Sequence, residues 1–321
     1  MTAILTIIIV NYNTRPLLAQ CLRSLAVPEN EHLYEVIVVD NGSSDGSVAM
    51  LREEFSQVRL IENTANAGFA RANNQGLGQA AGRYVMFLNS DTIVGPGEIN
   101  RIVEYLELHR DTGILGPRLV NGDGSLQLSA FKLPTLLNSI GDLTFGFFER
   151  PFFARLCSRY ADYGQPMGVG WVSGACLVAR KEAMMKLGGW DEDYFMYSED
   201  VRMGLRARQQ QVKTVYYPGA RITHLKNRSS TDSRERIVLI YRNRLRLRKE
   251  LFGPPALGAY VLFAAGMALG RALCYLLIYA GRKISGREAT FARQRLQTYL
   301  RVFALHLEQA GSIFGKDRVA E

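Results

Sequence analysis

Apolar and β-branched residues gather into four short runs within the first ninety positions: "LTIIIV" (5–10), "EVIVV" (35–39), "VRLIE" (58–62) and "YVMFL" (84–88). Runs of this length and type read as strands buried on both faces. Between them the spacing turns helical, as in "PLLAQCLRSL" from Pro16, where proline suits a helix's first turn. Strand, helix, strand in repetition predicts an α/β fold with a mainly parallel sheet flanked by helices. Right-handed crossovers bring the C-terminal ends of such strands to one edge. Each of those ends is polar: "NYN" (11–13), "DNGSSDGS" (40–47), "NTANAGFA" (63–70) and "NSDT" (89–92). A sheet edge lined by four polar loops is a ligand crevice, and the acid Asp91 at one strand end suggests a hard cation or a turn cap. The "GLGQAAG" at 76–82 is one residue too long for a dinucleotide fingerprint and sits in or after a helix, which sets that fold aside.

Bulk properties narrow the setting. With 321 residues the chain can build one sizeable core plus an appendage. Its net charge of +9 is local: Lys226 to Glu250 holds nine Lys or Arg against three Asp or Glu, six of the nine excess charges. Cys21, Cys157, Cys176 and Cys274 are scattered, without the spacing of a zinc or redox motif, which fits a reducing compartment. The N-terminus lacks a basic region, and its apolar run, Ile4 to Val10, is too short for a signal peptide, placing the front of the chain in the cytosol.

The motifs "VNYN", "VIVVDNGSSDGS", "NAGFARANN", "LNSDT", "WVSGACLVAR", "GGWDEDYFMYSEDVRMGLR" and "ITH" follow one another from Thr6 to about His224. In order and spacing they resemble the family 2 glycosyltransferases of GT-A fold, particularly the branch with bacterial rhamnosyltransferases of surface polysaccharide assembly. The resemblance implies a transferase using a dTDP- or UDP-sugar. Asp40 would accept from the imide N3–H of uracil or thymine, a role that suits an acceptor-only carboxylate. Asn11 and Asn13 would flank base and ribose, and Gly68, Phe69 and Asn73 would bring the third loop to the donor, although Asn and Gly are also ordinary turn residues. Asp45 reads as a helix cap.

Asn89 stands where the family's acidic motif has its first acid, so only Asp91 is anionic there; the neutral amide could bind ribose or a metal-bound water. The resemblance makes Asp91 and His224 ligands of Mn²⁺ or Mg²⁺, held weakly and exchangeably, and imidazole favours manganese. It gives the base to Asp200, with Glu199 as the lesser alternative, in a helix starting near Glu199; two acids in a first turn also suit the helix dipole. Trp171, Trp190 and Asp191 would form the acceptor side, with either Trp able to serve as core. Residues 123–170 match the family pattern least and include the Phe-rich "FGFFERPFF" (145–153).

Beyond His224 the chain becomes basic and apolar by turns, predicting a catalytic domain at 1–225, a basic amphipathic connector at 226–250 and a helical region at 251–321 that meets membrane or dimerises. Ala256 to Gly281 could span a bilayer by length. Against this, its one charge, Arg271, costs about 2.5–3.5 kcal/mol at mid-span. The expectation is therefore a peripheral or monotopic hairpin on the cytoplasmic membrane face. Leu296, Tyr299, Leu300, Phe303 and Leu307 form one stripe that could lie on lipid or pair with a second copy. Taken together, the sequence predicts an inverting transferase acting on a lipid-linked glycan, with no nucleic-acid partner. A non-catalytic nucleotide-sugar scaffold or sensor, suggested by Asn89, is the rival reading. A sugar nucleotidyltransferase lacks its Gly-rich, Lys-bearing triphosphate loop here.

Overall fold

The computed structural model describes residues 4–26, 34–145, 154–226 and 233–314. The Phe-rich stretch lies outside these residues from 146 to 153. The chain divides into two compact units, Met1–Leu133 with Asp162–Ser230, and Pro134–Ala161 with Thr231–Glu321. Residues 134–161 and the basic stretch from 231 onward thus belong with the C-terminal helices.

The first unit is built on strands β1 (Leu5–Asn11), β2 (Tyr34–Asp40), β3 (Arg59–Glu62), β4 (Tyr84–Asn89), β5 (Thr92–Val94) and β6 (Thr112–Val120). Shorter pieces follow, β7 (Leu126–Gln127), β8 (Ala130–Phe131), β9 (Met167–Gly168) and β10 (Trp171–Val172), then β11 (Cys176–Arg180) and β12 (Lys213–His224). The sheet runs β3-β2-β1-β4-β11-β6-β12-β5. Its first four strands are the four apolar runs, and their pairings are all parallel. Register puts Glu62 beside Asp40, Asp40 beside Asn11, and Val10 beside Asn89, so the polar strand ends share one edge as right-handed crossovers require. The remainder is mixed, because β11 enters antiparallel to both β4 and β6 while β12 lies parallel to β6.

Helices α1 (Arg15–Leu25), α2 (Ser47–Glu54), α3 (Phe69–Gln79) and α4 (Glu98–Leu108) cross between strands. Proline sits in α1's first turn, where its missing N–H costs nothing. Leu18, Leu22, Ile99 and Ile102 bury their apolar faces with Ile7, Ile9, Val38 and Met86 in one core. Each such side chain contributes about 1.5–3 kcal/mol. The "GLGQAAG" stretch begins inside α3, confirming that it holds no dinucleotide turn.

The second unit contains α5 (Leu136–Phe145). After α6 (Lys181–Leu187) and α7 (Glu199–Gln209) of the first unit, it resumes with α8 (Ser233–Leu251), α9 (Pro254–Ile284) and α10 (Thr290–Phe314). Leu143, Leu245, Leu257, Val261, Ala264, Ala268 and Val302 form its core. Arg271 is turned into this unit: its guanidinium donates to Tyr241 Oη at 2.6 Å and to the Leu143 carbonyl at 2.8 Å. The cost that the sequence assigns to a mid-span arginine therefore does not fall on an outward face.

Candidate active site

The β1 and β2 ends form one buried polar cluster. Asn11 Nδ2 donates to Asp40 Oδ2 at 2.7 Å, and the Ser43 amide donates to Asp40 Oδ1 at 2.8 Å. Asp40 is only 1% exposed, yet a carboxylate has about four acceptor positions, so these two bonds leave room for one more donor. Thr14 Oγ1 donates to Asn11 Oδ1 and lies 2.9 Å from Ser90 Oγ, linking this cluster to the turn that carries Asp91. Asn13, in the left-handed region, accepts from the Ser44 amide. Asp45 caps as expected: it accepts from the Arg15 amide at α1's start and from Ser47 at α2's start. Burial opposes its ionisation, but these bonds win and hold the carboxyl below its ordinary range.

The third loop meets the chain at Phe195 rather than open solvent. Gly68 has φ +85°, and a Cβ there would stand 2.6 Å from the Phe195 carbonyl, so glycine is required. The Phe69 amide donates to that same carbonyl. Phe69 packs edge-on against Trp190, and Asn73 is buried with its amide bonded back to the Phe69 carbonyl. These two residues shape the loop from inside.

Around Asp91 the arrangement is chemically specific. β5 pairs with β12 so that Thr92 faces His224, which brings the imidazole beside the turn. His224 Nε2 lies 3.1 Å from Asp91 Oδ1, and Asn89 Nδ2 approaches the same nitrogen at 3.4 Å. His224 Nδ1 faces Gln127 Oε1 at 2.7 Å. Gln127 donates its Nε2 to Asn121 Oδ1 and to the His224 carbonyl, which fixes its amide and obliges His224 Nδ1 to carry hydrogen. With its hydrogen on Nδ1, His224 turns Nε2 toward a carboxylate oxygen, the side on which a cation would be held. A spacing of 3.1 Å also suits two neighbouring ligands of one cation, since bonds of about 2.1 Å at right angles span about 3 Å. Among the described residues no cluster of three or more His, Cys, Asp or Glu side chains exists, so a metal here would complete its shell with substrate and water oxygens.

Sequence reading missed Gln127; it sits in a two-residue strand with no pattern to mark it. A side chain that holds a ligating histidine this way is a common metal-site support, and its loss typically weakens metal binding about 10–100-fold. Gln127→Leu is expected to weaken Mn²⁺ binding by that factor in a calorimetric titration. Unchanged affinity would show that Gln127 does not orient the ring.

The pair at the start of α7 divides by environment. Tyr197 and Ser198, both at positive φ, turn the chain into the helix. Glu199 is 6% exposed, its Oε2 has no partner, and burial followed by the adjacent Asp200 charge pushes its carboxyl well above the usual range. Asp200 is half-buried and accepts from the Val201 amide at 2.8 Å and the Gly174 amide at 3.4 Å. Gly174 adjoins Ala175, whose carbonyl receives the Asn89 amide, so Asp200 is tied to the same sheet edge as the Asp91 turn. Folded Glu199 keeps a proton that the unfolded chain releases, so stability declines as pH rises above 4.5 toward the folded value. Glu199→Gln is expected to flatten that decline and to raise Tm at about pH 8 by about 2–4 °C or more, the shift 1 kcal/mol gives a unit of this size. Parallel Tm curves for the two proteins across pH would contradict it.

Of the three residues expected on the acceptor side, Trp190 is placed in the core instead. Trp190 is 1% exposed, with Phe69 and Phe87 packed edge-on against it, so its ring offers no face to a sugar. Trp171 is half-buried, with one face stacked on Phe131 and its Nε1 donating to the Lys132 carbonyl. Asp191 Oδ2 accepts from Arg202 at 3.1 Å and Arg206 at 2.8 Å, which fastens its loop to α7.

A sheet of this order with acids gathered at its edge defines the GT-A class of glycosyltransferases. Two solved members share the fold: the mannosyltransferase PcManGT from Pyrobaculum calidifontis, in complex with GDP-Man and Mn²⁺, and GalNAc-T7 with UDP, GalNAc and Mn²⁺. The first gives a TM-score of 0.57 at 17% identity, covering 99% of this chain and 89% of that one. The second gives 0.58 at 13%, covering 99% and 58%. The chain belongs to glycosyl transferase family 2, whose model matches residues 6–187. It is 33% identical over 242 residues to the N-acetylglucosaminyl-diphospho-decaprenol L-rhamnosyltransferase of Mycobacterium tuberculosis, covering 72% of this chain and 78% of that one. It is also 29% identical over 228 residues to the O-antigen biosynthesis protein RfbC of Myxococcus xanthus, covering 68% of this chain and 17% of that one.

Proposed function

We propose that this chain is an inverting rhamnosyltransferase that moves rhamnose from dTDP-rhamnose onto a lipid-linked glycan whose first sugar is carried on a polyprenyl diphosphate. The observation that carries the reading is the similarity to the mycobacterial enzyme across most of both chains, together with Asp40, Asp91, His224 and Asp200 on one sheet edge. Asp40 receives the N3–H of thymine, and Asn11 holds that carboxylate in place. Asp200 accepts the proton of the acceptor hydroxyl as its oxygen bonds to the anomeric carbon, while the bond to the nucleoside diphosphate breaks on the opposite face. Glu199, whose buried carboxyl is held well above the usual range, is poorly suited to that task. One displacement inverts the anomeric centre with no covalent intermediate. Asp91 and His224 would hold Mn²⁺ or Mg²⁺, which neutralises charge growing on the departing diphosphate.

The base-reading role has a direct test. Thymine and uracil present N3–H to Asp40, whereas cytosine presents a lone pair at N3. Calorimetry is expected to show dTDP and UDP binding about 10–100-fold tighter than CDP, the penalty for facing two acceptors. Equal affinity for CDP would remove Asp40 from base recognition.

A further inference from the structure

The second unit carries an outer surface unlike that of a water-soluble helical domain. Along α9, Leu262, Leu269, Leu273, Leu276 and Leu277 are all exposed, Leu277 to 73%. At helical spacing they fall within an arc of roughly 100°. Ala259, Gly266, Gly270 and Ala280 fill the same exposed side, so it carries no charged or hydrogen-bonding side chain over six turns. The opposite side of α9, with Val261, Ala264, Ala268 and Ala272, is packed, and Arg271 is spent inside the unit. By length and composition α9 could cross a membrane.

Its neighbour argues against crossing. Tyr275 of α9 packs against both Phe291 and Tyr299 of α10, which sets the register of the two helices after a short connection. Arg301 then lies beside the middle turns of α9, and Gln297 and Glu308 lie within about two turns of it. All three are exposed. A crossing α9 would carry these groups into the hydrocarbon, where each charged side chain costs about 2.5–3.5 kcal/mol even on the most lenient scale.

Charge identifies the occupant of the leucine face. Residues 231–321 hold sixteen Lys or Arg against seven Asp or Glu, a surplus of nine that equals the net charge of the whole chain. Arg282, Lys283 and Arg287 cluster, exposed, at the end of the leucine stripe. A second copy laid on this face would bring its own Arg282, Lys283 and Arg287 and the same surplus, whereas an anionic lipid surface complements these exposed groups.

We propose that α9 lies in the plane of an anionic membrane surface, its leucine stripe sunk to the acyl boundary, with Arg282, Lys283 and Arg287 on lipid phosphates and no crossing. The inference stands apart from the assigned reaction, since its readout is binding to lipid. The test is flotation of the full chain with vesicles of phosphatidylcholine alone or mixed with phosphatidylglycerol. The chain is expected to float with the anionic vesicles. Leu273→Glu with Leu277→Glu, both outward-facing, should weaken flotation about 100-fold, and replacing the three basic residues by Gln about 10–100-fold. Circular dichroism of both variants should match the wild type. Ala256→Cys and Ile284→Cys, each in a Cys274→Ser background that leaves only the buried Cys21, Cys157 and Cys176, distinguish lying from crossing: in vesicles with protein added outside, an impermeant maleimide should label both. Labelling of only one end, equal flotation of the leucine variant, or a dimer in light scattering that this variant dissolves would overturn the proposal.

Discussion

Asp200→Asn is expected to lower the rate of sugar transfer by about 10²–10⁴-fold, the usual worth of a positioned general base, while leaving dTDP affinity unchanged. The near-isosteric amide keeps one acceptor oxygen for the Val201 amide, gives up the 3.4 Å contact with the Gly174 amide, and cannot take the acceptor's proton. Steady-state rates with saturating donor and acceptor, alongside calorimetric titration of dTDP, read the two quantities separately. A variant with full transfer would remove Asp200 from the base role.

The second large effect belongs to Asp91. Asp91→Ala should lower transfer about 10²–10³-fold, as for loss of a group that stabilises developing charge. It should also make dTDP binding indifferent to Mn²⁺ and to chelator. In wild type Asp91 and His224, 3.1 Å apart, would supply one carboxylate and one imidazole ligand, a weak set that would lean on the diphosphate's own oxygens. If the alanine variant still bound dTDP more tightly with Mn²⁺, the cation would sit elsewhere. If wild type bound dTDP tightly without metal, neutralisation would fall to cationic side chains.

The strand half of the sheet was legible because Val- and Ile-rich runs of five or six residues have few alternatives to a buried parallel strand. That same regularity made Asn11, Asp40 and Asn89 readable as neighbours, since parallel register sets strand ends side by side. Gln127 was not legible. It reaches His224 across 97 residues of sequence from a strand too short to leave a pattern. Trp190 was ambiguous in principle, because an indole suits a core and a sugar platform equally; only the packing of Phe69 and Phe87 decides for the core. Arg271 was visible as a charge within an apolar run, but its partners Tyr241 and Leu143 come from two other helices, one of them more than a hundred residues earlier. Long-range pairings of this kind come from tertiary packing, which local periodicity does not encode.

The central claim is transfer of rhamnose to a lipid-linked acceptor, and mass spectrometry of the lipid product tests it most directly. Purified protein incubated with dTDP-rhamnose, Mn²⁺ and N-acetylglucosaminyl-diphospho-polyprenol should add the mass of one deoxyhexose to the lipid, with release of dTDP that depends on the acceptor. An unchanged lipid in the presence of bound dTDP-rhamnose would contradict the account and favour a chain that binds nucleotide sugar without turning it over.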